Sequence, residues 1–115
     1  MSAVPQTVIE TAGYLKDAEK LFDEDERSEI VAYIGRYPDS GDVIEETGGV
    51  RKLRWGVEGR GKRGGARIIY YFRNETIPVF LLNVFSKNEK ANLSKAERNA
   101  LKKLATELMK YGGSK

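Results

Sequence analysis

The first third of the chain carries apolar residues at helical spacing. A short strand is predicted at 7–11, and from Tyr14 onwards the apolar positions recur every three or four residues. Asp23 followed by Glu26 is typical of a capping box, so a second helix is predicted to begin there and to end near Arg36, ahead of Pro38. We expect the two helices to pack as an antiparallel pair with an acidic outer face. Their buried faces would contain Tyr14, Leu15, Ala18, Leu21, Phe22, Ile30, Val31 and Ile34.

After residue 49 the hydrophobic period changes from that of a helix to that of a strand. Residues 50–55 alternate basic and apolar side chains, 66–73 form a strong strand candidate, and 79–86 are apolar on both faces, as in an interior strand. The glycine-rich 57–65 segment predicts a loop, and 74–76 predict a hairpin turn. These short connections favour antiparallel pairing.

A C-terminal helix is predicted from the capping box formed by Ser94 and Glu97. Its apolar face would consist of Leu101, Leu104, Leu108 and Tyr111. The order β-α-α-β-β-β-α predicts an α+β fold, with an antiparallel sheet, two N-terminal helices on one face and a C-terminal helix. At 115 residues, a single domain spanning 1–115 is expected.

The absence of cysteine and histidine restricts the chemistry available to the chain. Disulfides and thiolate catalysis are excluded, and the commonest general base and metal ligand are missing. Residues 1–10 lack the pattern of a secretory signal, and no apolar run is long enough to span a bilayer. A cytoplasmic location is therefore predicted.

The net charge of +3 conceals a strong separation along the chain. Residues 1–48 have a net charge of −8 and residues 49–115 a net charge of +11. This asymmetry indicates a polyanionic partner for the second half, although a solvated surface with chance clustering would look the same. The acidic helices are either a solvated face, a surface that repels RNA, or a contact for a basic partner segment.

Basic residues concentrate between 51 and 67, where only Glu58 opposes them. On a strand, Lys52 and Arg54 point to one face and Leu53 to the other, and Arg67 opens the next strand beside them. The full set predicted to converge is Arg51, Lys52, Arg54, Arg60, Lys62, Arg63 and Arg67, followed after the interior strand by Lys87 and Lys90. Such a surface suits RNA, because cations neutralise phosphates and aromatic rings stack on bases.

RNA cleavage requires neither a metal nor a histidine. The ribose 2′-hydroxyl can attack the adjacent phosphorus if the protein aligns it, accepts its proton, stabilises the phosphoryl charge and protonates the leaving 5′-oxygen. A lysine among other cations is suited to proton transfer, and an arginine to phosphate contact. The cluster is equally compatible with a binding surface that performs no chemistry.

An ordered set of motifs resembles the RelE/HigB toxins of type II toxin–antitoxin systems. The motifs occupy 41–44, 47–54, 61–71 and 87–89, and the likeness is closest to the HigB-like branch with a Gly-Lys-Arg-Gly-Gly loop. The resemblance implies a RelE-like fold, ribosome-dependent mRNA cleavage without a metal cofactor, and inhibition by an antitoxin. It also implies contact with operator DNA only through that antitoxin.

The resemblance assigns roles to individual basic residues. Lys52 and Arg54 fall near the attacking hydroxyl, with Lys52 as the proton acceptor, and Arg67 falls on the arginine that contacts the scissile phosphate. Lys87 and Lys90 fall in the segment that protonates the leaving group. Arg51, Arg60, Lys62, Arg63 and Tyr71 are the predicted RNA-binding residues.

Two positions depart from the founding RelE members. Asn88 stands where those members carry Arg, and Ser94 where they carry a base-stacking Tyr. The identity of the general acid is therefore left open. Tyr71, Phe85 and Trp55 are alternative residues for stacking on a base. Two other functions stay open at this point: a non-catalytic RNA- or ribosome-binding module, and an interaction protein that acts through its acidic helices.

Overall fold

The computed structural model describes residues 5–56, 65–87 and 92–113. Its elements are β1 (Val8–Glu10), α1 (Ala12–Leu21), α2 (Glu24–Arg36), β2 (Asp42–Val43), β3 (Val50–Trp55), β4 (Ala66–Tyr71), β5 (Val79–Ser86), α3 (Lys95–Leu108) and α4 (Lys110–Gly113). The α+β class and the predicted order are confirmed, with two short elements added, β2 and α4. The predictions made for Arg60, Lys62, Arg63 and Lys90 lie outside the described residues.

Within these described ranges, five strands form one mixed sheet in the order β1-β5-β4-β3-β2. The pairs β3–β4 and β4–β5 are antiparallel, as their short connections predicted. Strand β1 is parallel to β5, so the sheet is not antiparallel throughout. No short connection joins these two strands, and therefore the sequence pattern did not determine their relative direction.

The predicted helix starts are present. The Asp23 side chain accepts a hydrogen bond from the Glu26 backbone N–H at 2.8 Å, and Ser94 and Glu97 form a reciprocal capping box. Helix α1 begins slightly earlier than the hydrophobic period suggested, because Thr11 caps it by accepting from the Tyr14 N–H. These caps satisfy backbone donors that a helix leaves without partners in its first turn.

The sheet separates two apolar cores. One face packs against α1 and α2, and this core includes Tyr14, Ile30, Ile34, Ile68, Tyr70 and Leu81. The other face packs against α3 and includes Val50, Ile69, Tyr71, Phe80, Leu82, Phe85 and Leu101. We refer to these as the α2 face and the α3 face.

Helix α3 buries a different stripe from the one predicted. Leu101, Ala105 and Leu108 are buried, whereas Leu104 is 39% exposed and Tyr111 is 67% exposed. Small Ala105 lies at the i+4 position from Leu101, so it continues the buried stripe that was assigned to Leu104. Within the described residues, no helix combines the length and the apolar character needed to cross a membrane.

Candidate nucleic-acid interface

The pairing of β3 with β4 brings three of the predicted basic residues together. Arg54 lies directly opposite Arg67, and Lys52 lies opposite Ile69 in the adjoining row. Because Ile69 belongs to the core of the α3 face, Lys52, Arg54 and Arg67 all project from that face. Directly opposed residues of an antiparallel pair have Cβ atoms about 5 Å apart, so the two arginine side chains start from one small area of the α3 face.

This group stays accessible beside the helix that covers the rest of the face. Arg54 is exposed, and Lys52 and Arg67 are half-buried. The Lys87 backbone N–H donates to the Gly65 carbonyl at 3.2 Å, which places exposed Lys87 at the same end of the sheet. We call Lys52, Arg54, Arg67 and Lys87 the basic row. Gly56 and Gly65, which flank 57–64, lie at this end as well.

Arg51 is separated from the basic row by the thickness of the sheet. It pairs with Tyr70 of the α2-face core, and its Nη1 donates to the carbonyls of Gly41 at 2.7 Å and Asp39 at 3.2 Å. Its guanidinium carbon also lies 5.9 Å from the centre of the Phe72 ring. Arg51 therefore holds the segment between α2 and β2, a structural role that the sequence prediction of RNA binding did not include.

The aromatic candidates for base stacking occupy contrasting environments. Tyr71 is 1% exposed and Phe85 is 5% exposed, both within the core of the α3 face. Half-buried Trp55 lies on the α2 face, where its Nε1 donates to the buried Glu26 carboxylate at 3.3 Å and its ring meets Tyr33 edge-on at 5.7 Å. Stacking on Tyr71 or Phe85 would require a rearrangement of that core.

Two further polar features border the basic row and were missed in the sequence. Asn83 is exposed and pairs with Ile69, so it lies in the same row as Lys52 on the α3 face. Arg98 of α3 lines a cleft of about 510 Å³ together with Lys52 and the acidic residues Asp42, Glu45 and Glu46. A signal for Asn83 was available, since it is the one polar residue in the run 79–85.

Two buried tyrosines on the far side of the sheet from the basic row have raised pKa values. Burial in the α2-face core raises the pKa of Tyr14, and the nearby charge of Glu10 adds to that effect while Arg27 opposes it. Burial likewise raises the pKa of Tyr70, although hydrogen bonds from Gly41 and Ser40 oppose the shift. Within the described ranges, no group of three or more acidic side chains is arranged to hold a metal ion.

The fold and this surface define a small α+β protein with a basic face suited to the phosphates of RNA. A family model described as "RelE toxin of RelE / RelB toxin-antitoxin system" matches residues 39–115, and the chain belongs to this family. It is accordingly the toxin of a toxin–antitoxin system, an mRNA-cleaving ribonuclease with an antitoxin as partner. Membership of the HigB-like branch stays a prediction.

A solved structure supports the fold. The toxin RelE of E. coli, determined as a double mutant in the free state, has a TM-score of 0.54 and 14% sequence identity to this chain. The match covers 75% of this chain and 87% of the E. coli chain. At this identity the likeness concerns the backbone architecture alone.

Proposed function

We propose that this protein is a metal-independent endoribonuclease that cuts mRNA bound to the ribosome in the cytoplasm. The observation that carries the proposal is the direct pairing of Arg54 with Arg67, flanked by Lys52 and by Lys87, at one end of one sheet face. Family membership supplies RNA cleavage in general, and the arrangement of this basic row supports the specific chemistry.

The basic row contains the groups that an internal transesterification needs. Arg67 and Arg54 bind the non-bridging oxygens of the scissile phosphate and stabilise its growing negative charge. Lys52, one row along the same face, accepts the proton of the 2′-hydroxyl as its oxygen attacks phosphorus. The bond to the 5′-oxygen breaks, Lys87 supplies a proton to that oxygen, and the products carry a 2′,3′-cyclic phosphate and a 5′-hydroxyl.

The openness of the basic row supports a requirement for the ribosome. Arg54 and Lys87 are exposed on the surface, so the described residues around them do not enclose a flexible RNA strand. In-line attack requires the 2′-oxygen, phosphorus and leaving oxygen to be aligned. A ribosome that fixes the mRNA backbone would supply this alignment, and the basic row would supply the charge.

The proposal is tested by replacing Arg67 and mapping new RNA ends. Wild-type protein should generate 5′-hydroxyl ends on mRNA in a translating ribosome and far fewer on the same RNA alone. Arg67→Ala should lower cleavage by roughly 100-fold or more and relieve growth arrest on expression. Arg73→Ala is a matched control, because exposed Arg73 follows β4 at the opposite end of the sheet.

Four results would contradict parts of the proposal. Equal activity of Arg67→Ala and wild type would refute the assignment of the catalytic site. Ribosome binding without new RNA ends would favour a non-catalytic module. Cleavage of free and ribosome-bound RNA at equal rates would remove the ribosome requirement. A phosphorothioate at the scissile linkage is expected to slow a metal-dependent reaction. If it inhibits cleavage and Mn²⁺ restores the activity, a metal takes part in the reaction.

A further inference from the structure

Asn83 interrupts a strand that is otherwise built for burial. The residues from Val79 to Phe85 are apolar apart from this amide, and all of them except Asn83 are buried. The register between β4 and β5 shifts between Ile69 and Tyr70, so that Ile69 pairs with Asn83 and Tyr70 with Leu81. Irregularities of this type re-aim side chains and are common beside active sites. Here the shift brings an amide to the α3 face.

The pairing scheme gives the position of Asn83 relative to the basic row. Lys52, Ile69 and Asn83 form one row across three strands, and Arg54, Arg67 and Phe85 form the next. Neighbouring strands are about 4.8 Å apart, so Asn83 and Arg67 are neighbours on the diagonal of this grid. The Asn83 side chain makes no hydrogen bond within the part of the chain that the structure describes.

A groove of about 530 Å³ lies on the far side of Asn83 from the basic row. It runs between α1 and α3 along β5, with Phe85, Leu93 and Leu101 among its apolar walls, and its charged lining residues are Asp17, Lys20 and Glu97. Apolar walls, a small number of polar groups and a volume in the range of about 300–1,000 Å³ are typical of small-ligand sites. A single nucleobase matches these properties, because its faces are apolar and its edges form hydrogen bonds.

We propose that this groove receives the base of a nucleotide flanking the scissile linkage, and that the Asn83 amide reads the edge of that base. The inference rests on the proposed function and adds a source of sequence preference to it. A phosphate held at Arg67 leaves the neighbouring nucleotide one strand away, over β5, where the groove opens. Lys20 lines the groove together with the carboxylates of Asp17 and Glu97, so the groove favours an uncharged base over a second phosphate. An amide both donates and accepts, so it distinguishes bases by their edge pattern.

The proposal is tested by cleavage of ribosome-bound mRNA with a randomised coding region, followed by sequencing of the new 5′ ends. Asn83→Ala should weaken the base preference at one flanking position by roughly fivefold or more, with a smaller change in the rate at the best site. Asn83→Asp should raise the preference for cytosine over uracil at that position, because a carboxylate accepts a hydrogen bond from the cytosine amino group and repels the uracil carbonyl. An unchanged preference in both variants would overturn the inference.

A matched control separates this effect from general damage. Asn99→Ala removes an exposed amide from α3 away from the groove, and it should leave preference and rate unchanged. Asn83 is exposed, so its variants should unfold at the wild-type temperature within about 2 °C. A preference change in Asn99→Ala as large as that in Asn83→Ala would contradict the assignment.

A binding measurement distinguishes failure of this inference from failure of the proposed function. Absence of wild-type cleavage would refute the proposed function alone. The groove is then tested by adding a single-stranded RNA tetranucleotide of random sequence to the wild-type protein and following the Asn83 side-chain amide by NMR. A saturable shift of that resonance, larger than that of the Asn99 amide, supports the groove. An unmoved Asn83 resonance overturns it.

Discussion

Adjacent residues of β3 perform different tasks because a strand turns successive side chains to opposite faces. Arg51 points to the α2 face and binds two backbone carbonyls, whereas Lys52 points to the α3 face and belongs to the basic row. The two side chains carry the same charge. Their contributions to stability and to RNA cleavage should therefore separate cleanly on substitution.

We expect Lys52→Ala to lower cleavage by roughly 100-fold or more while changing the free energy of unfolding by less than about 0.5 kcal/mol. Arg51→Ala should lower the free energy of unfolding by about 1–3 kcal/mol, because the part-buried Gly41 carbonyl loses its donor, whereas water can replace Arg51 at the exposed Asp39 carbonyl. Urea titration and single-turnover cleavage measure the two effects. If Arg51 also binds RNA, its variant will reduce the salt dependence of ribosome affinity by about one charge.

The alternation that identified Lys52 and Arg54 as neighbours also places Arg51 beside Leu53. That much was available from the sequence, and it argues against treating every basic residue of the cluster alike. The contacts of Arg51 with Gly41 and Asp39 were not available, because they join positions whose proximity depends on how α2 returns to the sheet. Residue type and alternation predict which face a side chain takes, and tertiary packing decides what it meets there.

At the scale of elements, a buried hydroxyl holds the connection between α2 and β2. The Tyr70 hydroxyl donates to the Pro38 carbonyl at 2.7 Å and accepts from the Gly41 N–H at 2.9 Å. A Cβ at Gly41 would lie 2.9 Å from both the Tyr70 hydroxyl and the Lys52 carbonyl, so the chain approaches too closely for a side chain. This connection sets the register of β2 against β3, next to Lys52.

Tyr70→Phe should lower the free energy of unfolding by about 1–3 kcal/mol, because the Pro38 carbonyl and the Gly41 N–H lose their partner. Tyr14→Phe is the matched control. The Tyr14 hydroxyl is also buried but has no hydrogen-bond partner among the described residues, so its removal should be neutral or stabilising. Urea midpoints measure both. Equal destabilisation by the two changes would contradict the role given to the Tyr70 hydroxyl in holding the connection between α2 and β2.

Local signals predicted the elements well, and they failed where partners are distant in sequence. Asp23, Ser94 and Glu97 fixed helix starts because a cap involves residues only three positions apart. The parallel pairing of β1 with β5 joins segments about seventy residues apart, and no nearby turn encodes it. The β5 register shift is likewise a product of two strands together, although the isolated polarity of Asn83 gave a hint of it.

For the whole molecule, the buried tyrosines make stability sensitive to alkaline pH. Burial raises the pKa of both Tyr14 and Tyr70 in the folded protein, whereas unfolded tyrosine titrates near pH 10. Above about pH 10 the unfolded chain releases protons that the folded chain retains. The unfolded state then binds fewer protons, and the free energy of unfolding falls as pH rises.

We expect the urea midpoint to decrease from pH 9 to pH 11 and to decrease less steeply when Tyr14 and Tyr70 are both replaced by Phe. The comparison with wild type isolates the contribution of these two tyrosines from that of all other groups. Identical slopes for the two proteins would show that other groups govern the alkaline transition.

The sheet also separates charge in space. Acidic residues of α2 such as Glu24, Asp25 and Glu29 are exposed on the far side from Lys52, Arg54 and Arg67. These charges contribute an electric dipole moment across the thickness of the molecule, which Asp42, Glu45 and Glu46 beside Lys52 reduce, and a polyanion exerts a torque on it before any contact forms. Within a screening distance of roughly 8–10 Å, the protein approaches already turned with its basic side towards the polyanion, so a larger share of encounters is productive.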